Sequence, residues 1–290
     1  MAEISAQGVK DLRDRTGAPM MDCKRALSDA NGDAAQAALL LRERGLAKAV
    51  KRAGKETSEG TIALASGDGV GALIELGCET DFVAKTPDFQ ALASSIASAA
   101  VASGATTRDA VLSGDVGSAK GSDVIAAAIS KMGENIQLKR VERLVIAGGG
   151  VVGGYIHAGG KLGVMVGLAT SSRDASVSAL AKDLAMHVAA ADPSPIAIDR
   201  DGVPKDLLEK EAAIFRSQAL GEGKPEKIVE RIVEGRIKKY YGEICLLEQP
   251  YVKDPDKTVS KLLADASSKL GAPIRVTAFV RFRLGETTAE

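Results

Sequence analysis

Chemistry by side chains needs nucleophiles, bases or metal ligands at workable spacing, and this sequence offers few. Its two histidines, His157 and His187, lie 30 positions apart, and its three cysteines, Cys23, Cys78 and Cys245, stand singly. No C-x-x-C pair occurs, so a zinc-type site has no ligand framework. An odd number of scattered cysteines outlines no disulfide scaffold and suits a reducing compartment. Neither a G-x-x-x-x-G-K-[ST] phosphate loop nor a G-x-S-x-G nucleophile turn is present. Cys78 follows Gly77 and precedes Glu79, with no cation beside it to favour a thiolate. His187 sits among Leu184 and Val188 at helical spacing and reads as a core histidine, whereas His157 stands near Gly159-Gly160 at a strand end and reads as exposed. No metal and no cofactor is expected.

Two stretches hold more interest. Gly148-Gly-Gly-Val-Val-Gly153 is a literal G-x-G-x-x-G after the apolar run Leu144 to Ala147. A dinucleotide fingerprint needs a helix next, whose first amides meet the pyrophosphate. Here Gly154-Tyr-Ile-His-Ala-Gly-Gly160 follows, which is strand and turn chemistry, so the glycines read as a joint between two halves. A dinucleotide-binding enzyme stays as the alternative reading. The second stretch is Gly77-Cys-Glu-Thr-Asp-Phe-Val-Ala-Lys85, just after the apolar run 71–76. The chain has five Phe, four Tyr and no Trp, so a ring beside Asp81 at a strand end asks for a reason. Phe82 either plugs the core while Asp81 caps a turn, or points outward on a short loop stiffened by Pro87. The pattern by itself leans to the plug. The polar neighbours Glu79, Thr80, Asp81 and Lys85 suit the outward reading, since an aromatic held outward is a typical interface anchor.

The elements that must position these residues follow from composition and periodicity. With 290 residues and 45% hydrophobic content the chain can bury a real core. Its 38 basic and 38 acidic residues balance, which argues against bulk nucleic-acid binding while leaving room for a local patch. No apolar signal region opens the sequence and no run of 18 apolar residues occurs, so neither secretion nor a membrane span is expected, and a cytoplasmic protein is.

Residues 1–54 read as a helical unit. Ser5 caps a first helix with Val9 and Leu12 inward, and Gly17 ends it. Pro19 opens a second helix carrying Met20, Cys23, Ala26 and Leu27. Asn31-Gly32 is a turn, Asp33 caps a third helix with Ala37, Leu40 and Leu41, and Gly45 is expected to stop it. Lys48, Lys51, Arg52 and Lys55 then read as a solvated linker face. From residue 57 the texture turns to strands: 60–65 and 70–76 about a Gly-rich turn, helices at 89–101 and 123–132, and a strand from 136 to 145.

The pattern then repeats. Residues 153–157 and 161–168 echo the first two strands, and a helix over 177–191 echoes 89–101. KMGENIQLKRVERL (131–144) aligns without gaps on KLGAPIRVTAFVRF (269–282) at a constant offset of 138. Gly and Ile at fixed spacing favour duplication over chance likeness of amphipathic strands. Residues 200–245 intrude in the second copy. They read as an antiparallel helical hairpin with Leu207, Leu208, Ala212, Phe215 and Ala219 on one arm and Ile228, Val229, Ile232, Val233 and Ile237 on the other. The fold class is therefore α+β: a helical unit over 1–54, a core half over 55–147, and a second half over 148–290 with the hairpin inserted.

Several of these segments resemble the bacterial elongation factor Ts family. Val9-Lys-Asp-Leu-Arg-Asp-Arg-Thr-Gly-Ala-Pro-Met-Met-Asp-Cys-Lys-Arg-Ala-Leu27, with the Asn31-Gly-Asp33 turn, is similar to its N-terminal signature, and Thr80-Asp-Phe-Val-Ala-Lys85 to its second. Lys131-Met-Gly-Glu-Asn-Ile136, Met186-His-Val-Ala-Ala190 and Val233-Glu-Gly-Arg236 are similar to further segments, so the resemblance spans essentially the whole chain. It implies a ubiquitin-associated-like (UBA-like) N-terminal domain, a duplicated core and a coiled-coil hairpin. It implies nucleotide exchange on elongation factor Tu, not an enzyme's chemistry. Thr80, Asp81, Phe82 and Val83 would form the exchange loop, with Asp81 and Phe82 pressing near the partner's Mg²⁺ and phosphate site. The N-terminal domain, with Val9, Leu12 and Met20 as candidates, would meet the GTPase domain. The second core half, with His157, would meet the partner's third domain. Some members carry a further helical module after the last strand, which the resemblance does not carry onto this sequence. A scaffold that binds the partner without speeding exchange is the remaining alternative.

Overall fold

The computed structural model describes residues 4–286. Three helices come first: α1 (Ala6–Thr16), α2 (Met20–Asp29) and α3 (Ala34–Arg52). Their ends follow from local chemistry. The Ser5 hydroxyl accepts from the Gly8 amide, Gly17 closes α1 in the left-handed region, and the Asp33 carboxylate accepts from the amides of Ala35 and Gln36. Val9, Leu12, Cys23, Ala26, Leu27 and Ala37 form the buried centre of this unit. Helix α3 corrects the expected stop at Gly45. It runs on to Arg52, because the strong helix formers around Gly45 outweigh the ~1 kcal/mol penalty of one glycine. Gly45 is itself buried, facing the Ala126 carbonyl and Ser130. Lys48, Lys51 and Arg52 therefore stand on the last turns of a helix and not on a linker, and Lys55 lies just past its end. Lys48 reaches Asp22 at 2.7 Å and Arg52 reaches Glu79 at 2.7 Å.

The first sheet holds β1 (Glu59–Gly67), β2 (Val70–Cys78) and, after four helices and a small hairpin, β5 (Ile136–Val145), in the order β1-β2-β5. Between them run α4 (Asp81–Ala84), α5 (Pro87–Ser103), α6 (Arg108–Ser113), the hairpin of β3 (Asp115–Val116) with β4 (Ala119–Lys120), and α7 (Gly121–Met132). The second sheet is β6 (Gly150–Ile156), β7 (Leu162–Ala169) and β10 (Arg275–Arg283), in the matching order β6-β7-β10. Helix α8 (Ala175–Ala190) follows β7. Helices α9 (Lys205–Gly221) and α10 (Glu226–Ile244) fold back on each other. The hairpin of β8 (Pro250–Tyr251) with β9 (Asp254–Thr258) and helix α11 (Val259–Leu270) then lead to β10. All strand pairs within the two sheets are antiparallel. The sheets and helices together make an α+β protein.

The repeat is visible in register as well as sequence. Leu76 pairs with Leu138 and Gly77 with Gln137, while Leu168 pairs with Val276 and Ala169 with Arg275. Gly60 and Gly150 stand near the start of corresponding strands at φ 151° and 156°, and a side chain added at either would run into the carbonyl oxygen of the matched Leu76 or Leu168. Strand β7 is apolar on both faces because both faces are covered, and β2 is so apart from Glu75, which is buried and paired with Arg140. Ile74 and Leu76 face α5 with Phe89 and Ile96, and Val164, Val166 and Leu168 face α8 with Leu184 and Val188. Their opposite faces meet each other, where Ile62, Leu73, Ile146, Val152, Met165 and Phe282 form one cluster between the sheets.

The G-x-G-x-x-G segment enters β6 at Gly150, so no helix offers its first amides to a pyrophosphate. The dinucleotide reading is set aside on that ground. Among the described residues no helix is long and apolar enough to cross a membrane, and no three His, Cys, Asp or Glu side chains group to hold a metal ion.

Candidate functional site

Strand β2 ends at Cys78, and the chain turns out of the sheet into the single-turn helix α4. Thr80, in extended backbone, caps it: its hydroxyl accepts from the Val83 amide at 3.4 Å. The Thr80 and Asp81 carbonyls accept from the Ala84 and Lys85 amides. On the far side the Thr86 hydroxyl donates to the Val83 carbonyl at 2.8 Å and caps α5, whose first residue is Pro87. Gln90 donates to the Ala84 carbonyl at 2.6 Å. Both ends of the turn are thus fastened by side-chain bonds.

On this fastened turn Phe82 is 81% exposed, the most exposed of the large apolar side chains. Val83 packs against the first core and Ala84 is buried in it. The outward reading of Phe82 holds, and the plug is Phe89, fully buried seven residues later. The structure also corrects the cap: Thr80, not Asp81, caps the turn. The Asp81 carboxylate pairs with the Lys85 ammonium at 2.7 Å. The Lys85 hydrogen bond, and then its charge, hold the Asp81 carboxyl below the usual range, and Lys161 adds to this at longer reach.

Lys161 lies in the β6–β7 turn, which also carries His157, and it bonds Glu59 at 2.9 Å. That turn is tied to β1 by the Ile62 amide donating to the Gly160 carbonyl. His157 is exposed, with its Nδ1 3.0 Å from the Tyr155 hydroxyl. The turn that carries the exposed histidine is thus tied to the sheet whose β2 leads into the exposed ring.

The N-terminal candidates divide. Met20 is 51% exposed at the start of α2, but Val9 and Leu12 lie inside the three-helix centre. Both face inward from α1 at a spacing of three, and both are needed to close that small core. In the free protein they are packing residues of that centre. Cys78 is fully buried, its thiol donates to the Thr80 carbonyl at 3.1 Å, and burial pushes its pKa up to about 12, so it is inert. His187 is buried too. Its Nε2 donates to Gln249 at 3.0 Å and its Nδ1 accepts from the Val252 amide at 3.2 Å. That Glu79 and Glu134 together hold the upstream end of the turn is not legible in the sequence, because acids so far apart in the chain give no spacing signal.

A family model described as Elongation factor TS matches residues 79–286, from the start of this turn to the last described residue. Elongation factor Ts of Clostridium acetobutylicum is 49% identical over 287 residues, covering 98% of this chain and 93% of that protein. The same factor from Prosthecochloris aestuarii is 48% identical over 291 residues, covering 98% of this chain and all of that protein, at 100%. Those from Clostridium botulinum strains are 46% identical over 288 residues. A match of this depth along nearly the full length leaves one conclusion: the chain belongs to the elongation factor Ts family.

Proposed function

We propose that this protein promotes release of GDP from elongation factor Tu, and that the turn Thr80–Val83 performs the step. The observation that carries the reading is the Phe82 ring, presented to solvent on a turn fastened at both ends. An exposed aromatic on a backbone that is already fixed loses little backbone entropy on binding, which suits an interface anchor.

No covalent bond is made or broken in such a step. The turn binds the open nucleotide site better than the closed one, and so shifts the partner toward the open form. Phe82 wedges between elements of the GTPase domain, and Asp81 competes for groups near the metal. Loss of Mg²⁺ removes the main charge balancing the phosphates, and GDP leaves. By reciprocity bound GDP weakens the complex by the same factor, so GTP rebinding completes the cycle. The pairing of Asp81 with Lys85 fits this role, because an exposed pair is weak enough to be exchanged for new partners.

Around the turn, the helical unit 1–54 is assigned as a UBA-like domain that meets the GTPase domain through the exposed start of α2 at Met20. The half 55–147 presents the turn. The half 148–290 meets the partner's third domain near His157. The hairpin within 200–245 is assigned as a coiled coil. A protein with this role works in the cytoplasm, with no nucleic acid or membrane as partner.

Stopped-flow release of fluorescent GDP from elongation factor Tu tests the reading. Phe82→Ala is expected to slow release by roughly thirtyfold, the equivalent of an anchor of ~2 kcal/mol. Release at the wild-type rate by a folded Phe82→Ala protein would remove the ring from the mechanism. Binding of elongation factor Tu with no acceleration of release by the wild type would leave a scaffold.

A further inference from the structure

The upstream end of the Phe82 turn is held by two carboxylates, each accepting from backbone amides of the segment that carries the other. Glu134, in the turn between α7 and β5, accepts from the Glu79 amide at 3.1 Å, from the Thr80 amide at 3.0 Å and from the Thr80 hydroxyl at 2.6 Å. In return Glu79 accepts from the Asn135 amide at 2.6 Å and from the Arg52 guanidinium at 2.7 Å. Arg52 ends α3, so the N-terminal helices join the same knot. Asn135 is buried, and its side-chain amide donates to the Lys55 carbonyl at 2.6 Å. Bonds of this kind, with an ionised acceptor, are about twice as strong as neutral ones. The Asn135 amide, and then Arg52, hold the Glu79 carboxyl below its usual range.

The duplicated core contains its own control. The matched registers carry Glu79 and Thr80 onto Ser171 and Ser172, and Glu134 and Asn135 onto Ala272 and Pro273. Ala272 has no acceptor and Pro273 has no amide hydrogen, so neither half of the exchange can form there. In that half the chain passes from β7 into α8 with Asp174 as cap, and no ring is displayed. A carboxylate clamp needed only to join a strand to its next helix would be expected twice. It occurs only in the half that presents Phe82.

We infer that Glu134 is a positioning residue for nucleotide exchange: its carboxylate fixes the first turn of α4 and so sets the direction of the Phe82 ring. The inference rests on the exchange reading above, and the test separates the two. Wild type, Glu134→Ala, Glu134→Gln and Phe82→Ala are compared by amide hydrogen exchange of residues 79–86 in the free protein, and by stopped-flow GDP release from elongation factor Tu. In Glu134→Gln the amide oxygen can still accept from both backbone amides, and its NH₂ can meet the Thr80 hydroxyl oxygen. Glu134→Ala is expected to speed exchange of these amides and to slow GDP release roughly tenfold or more, since misplacing a reacting group by about 1 Å is that damaging. Glu134→Gln is expected to restore both to within about threefold of wild type, because the amide keeps the acceptor and the geometry of these bonds at reduced strength. Amides unchanged in Glu134→Ala, or loosened amides with normal GDP release, would overturn the positioning role. So would a Glu134→Gln protein as slow as Glu134→Ala. Normal release by Phe82→Ala would instead overturn the exchange reading itself. If Glu134→Ala does not fold, Glu134→Asp, one methylene short of the amides, replaces it with the same expected directions.

Discussion

Two phenylalanines seven positions apart have opposite fates. Each follows a threonine cap, Thr80 or Thr86, whose hydroxyl accepts an amide of the first helical turn. Local chemistry is nearly the same, so residue type alone could not say which ring is buried. The direction is set by what comes next. Helix α5 lies along the sheet and carries Phe89 into it, whereas α4 ends after one turn and leaves Phe82 outside. Hence the residue pattern leaned to a core plug, and only the polar neighbours and the family-like signature pointed outward. The contrast is measurable by urea denaturation. Phe82→Ala should leave stability within about 0.5 kcal/mol, as surface changes do. Phe89→Ala should remove ~3–5 kcal/mol through lost burial and an unfilled cavity. Equal effects would mean that the ring of residue 82 is not free in solution. His187 supports a prediction in pH. Burial lowers its pKa below the ordinary 6.5, and the Gln249 acceptor only partly opposes this. A second proton would also displace the Val252 amide from Nδ1. The unfolded chain therefore binds more protons below pH 6.5, so stability falls as the pH drops through that value toward the lower folded pKa. The slope is at most about 1.4 kcal/mol per pH unit. His187→Gln should cost stability throughout but flatten that slope, and an unchanged slope would assign the acid sensitivity to other groups.

At the scale of elements, legibility tracked local signals. Helices with a capping side chain and a terminal glycine, such as α1, were readable to the residue. Helix α3 was not, because Gly45 resembles a terminal glycine although the helix formers on both sides carry the helix past it. The hairpins β3–β4 and β8–β9 were too short to leave a period. Helix α11 carries the same kind of signal, with a Thr258 cap, Val259 and Leu263 inward and Gly271 at its end. The α9–α10 hairpin was read from its apolar seam, and the structure shows how thin that seam is. Ala219, Val229 and Val233 are its buried centre, supported by Phe215, Ile232 and Ile237. Exposed ion pairs, Arg216 with Glu230 and Arg236 with Glu222, add little. Val233→Asp should therefore speed hydrogen exchange across 205–240 while both sheets stay protected. Loss of protection in the sheets as well would mean the hairpin is part of the main cooperative unit. In the same arm Gly235 lies mid-helix, where an added methyl group meets nothing within 4 Å. Gly235→Ala should raise hairpin stability by ~0.5–1 kcal/mol, read as slower exchange in α10.

For the molecule as a whole, the informative feature is that the two similar halves are not independent. Duplication was legible from one ungapped match, but the contact between the copies was not, because alternation on a strand buried on both faces leaves no record of which face meets what. The structure places Leu73 of β2 and Met165 of β7 in one cluster, back to back with the helices on the outside. The sheets approach closely because glycine stands where a side chain would hold them apart. A methyl group added at Gly163 would lie 2.5 Å from Ile62 Cγ2, 2.8 Å from Ile156 Cδ1 and 3.2 Å from Leu73 Cδ1. Two of those three neighbours belong to the first half. Gly163→Ala should thus cost ~1–3 kcal/mol by overpacking, and the strain falls on the seam, not on one sheet. The expected signature is joint: hydrogen exchange should rise in β1 and β2 as much as in β6 and β7, and the main calorimetric transition should move down without splitting. A loss of protection confined to β6, β7 and β10 would show that each half stands alone. In that case the first half could present Phe82 unaided.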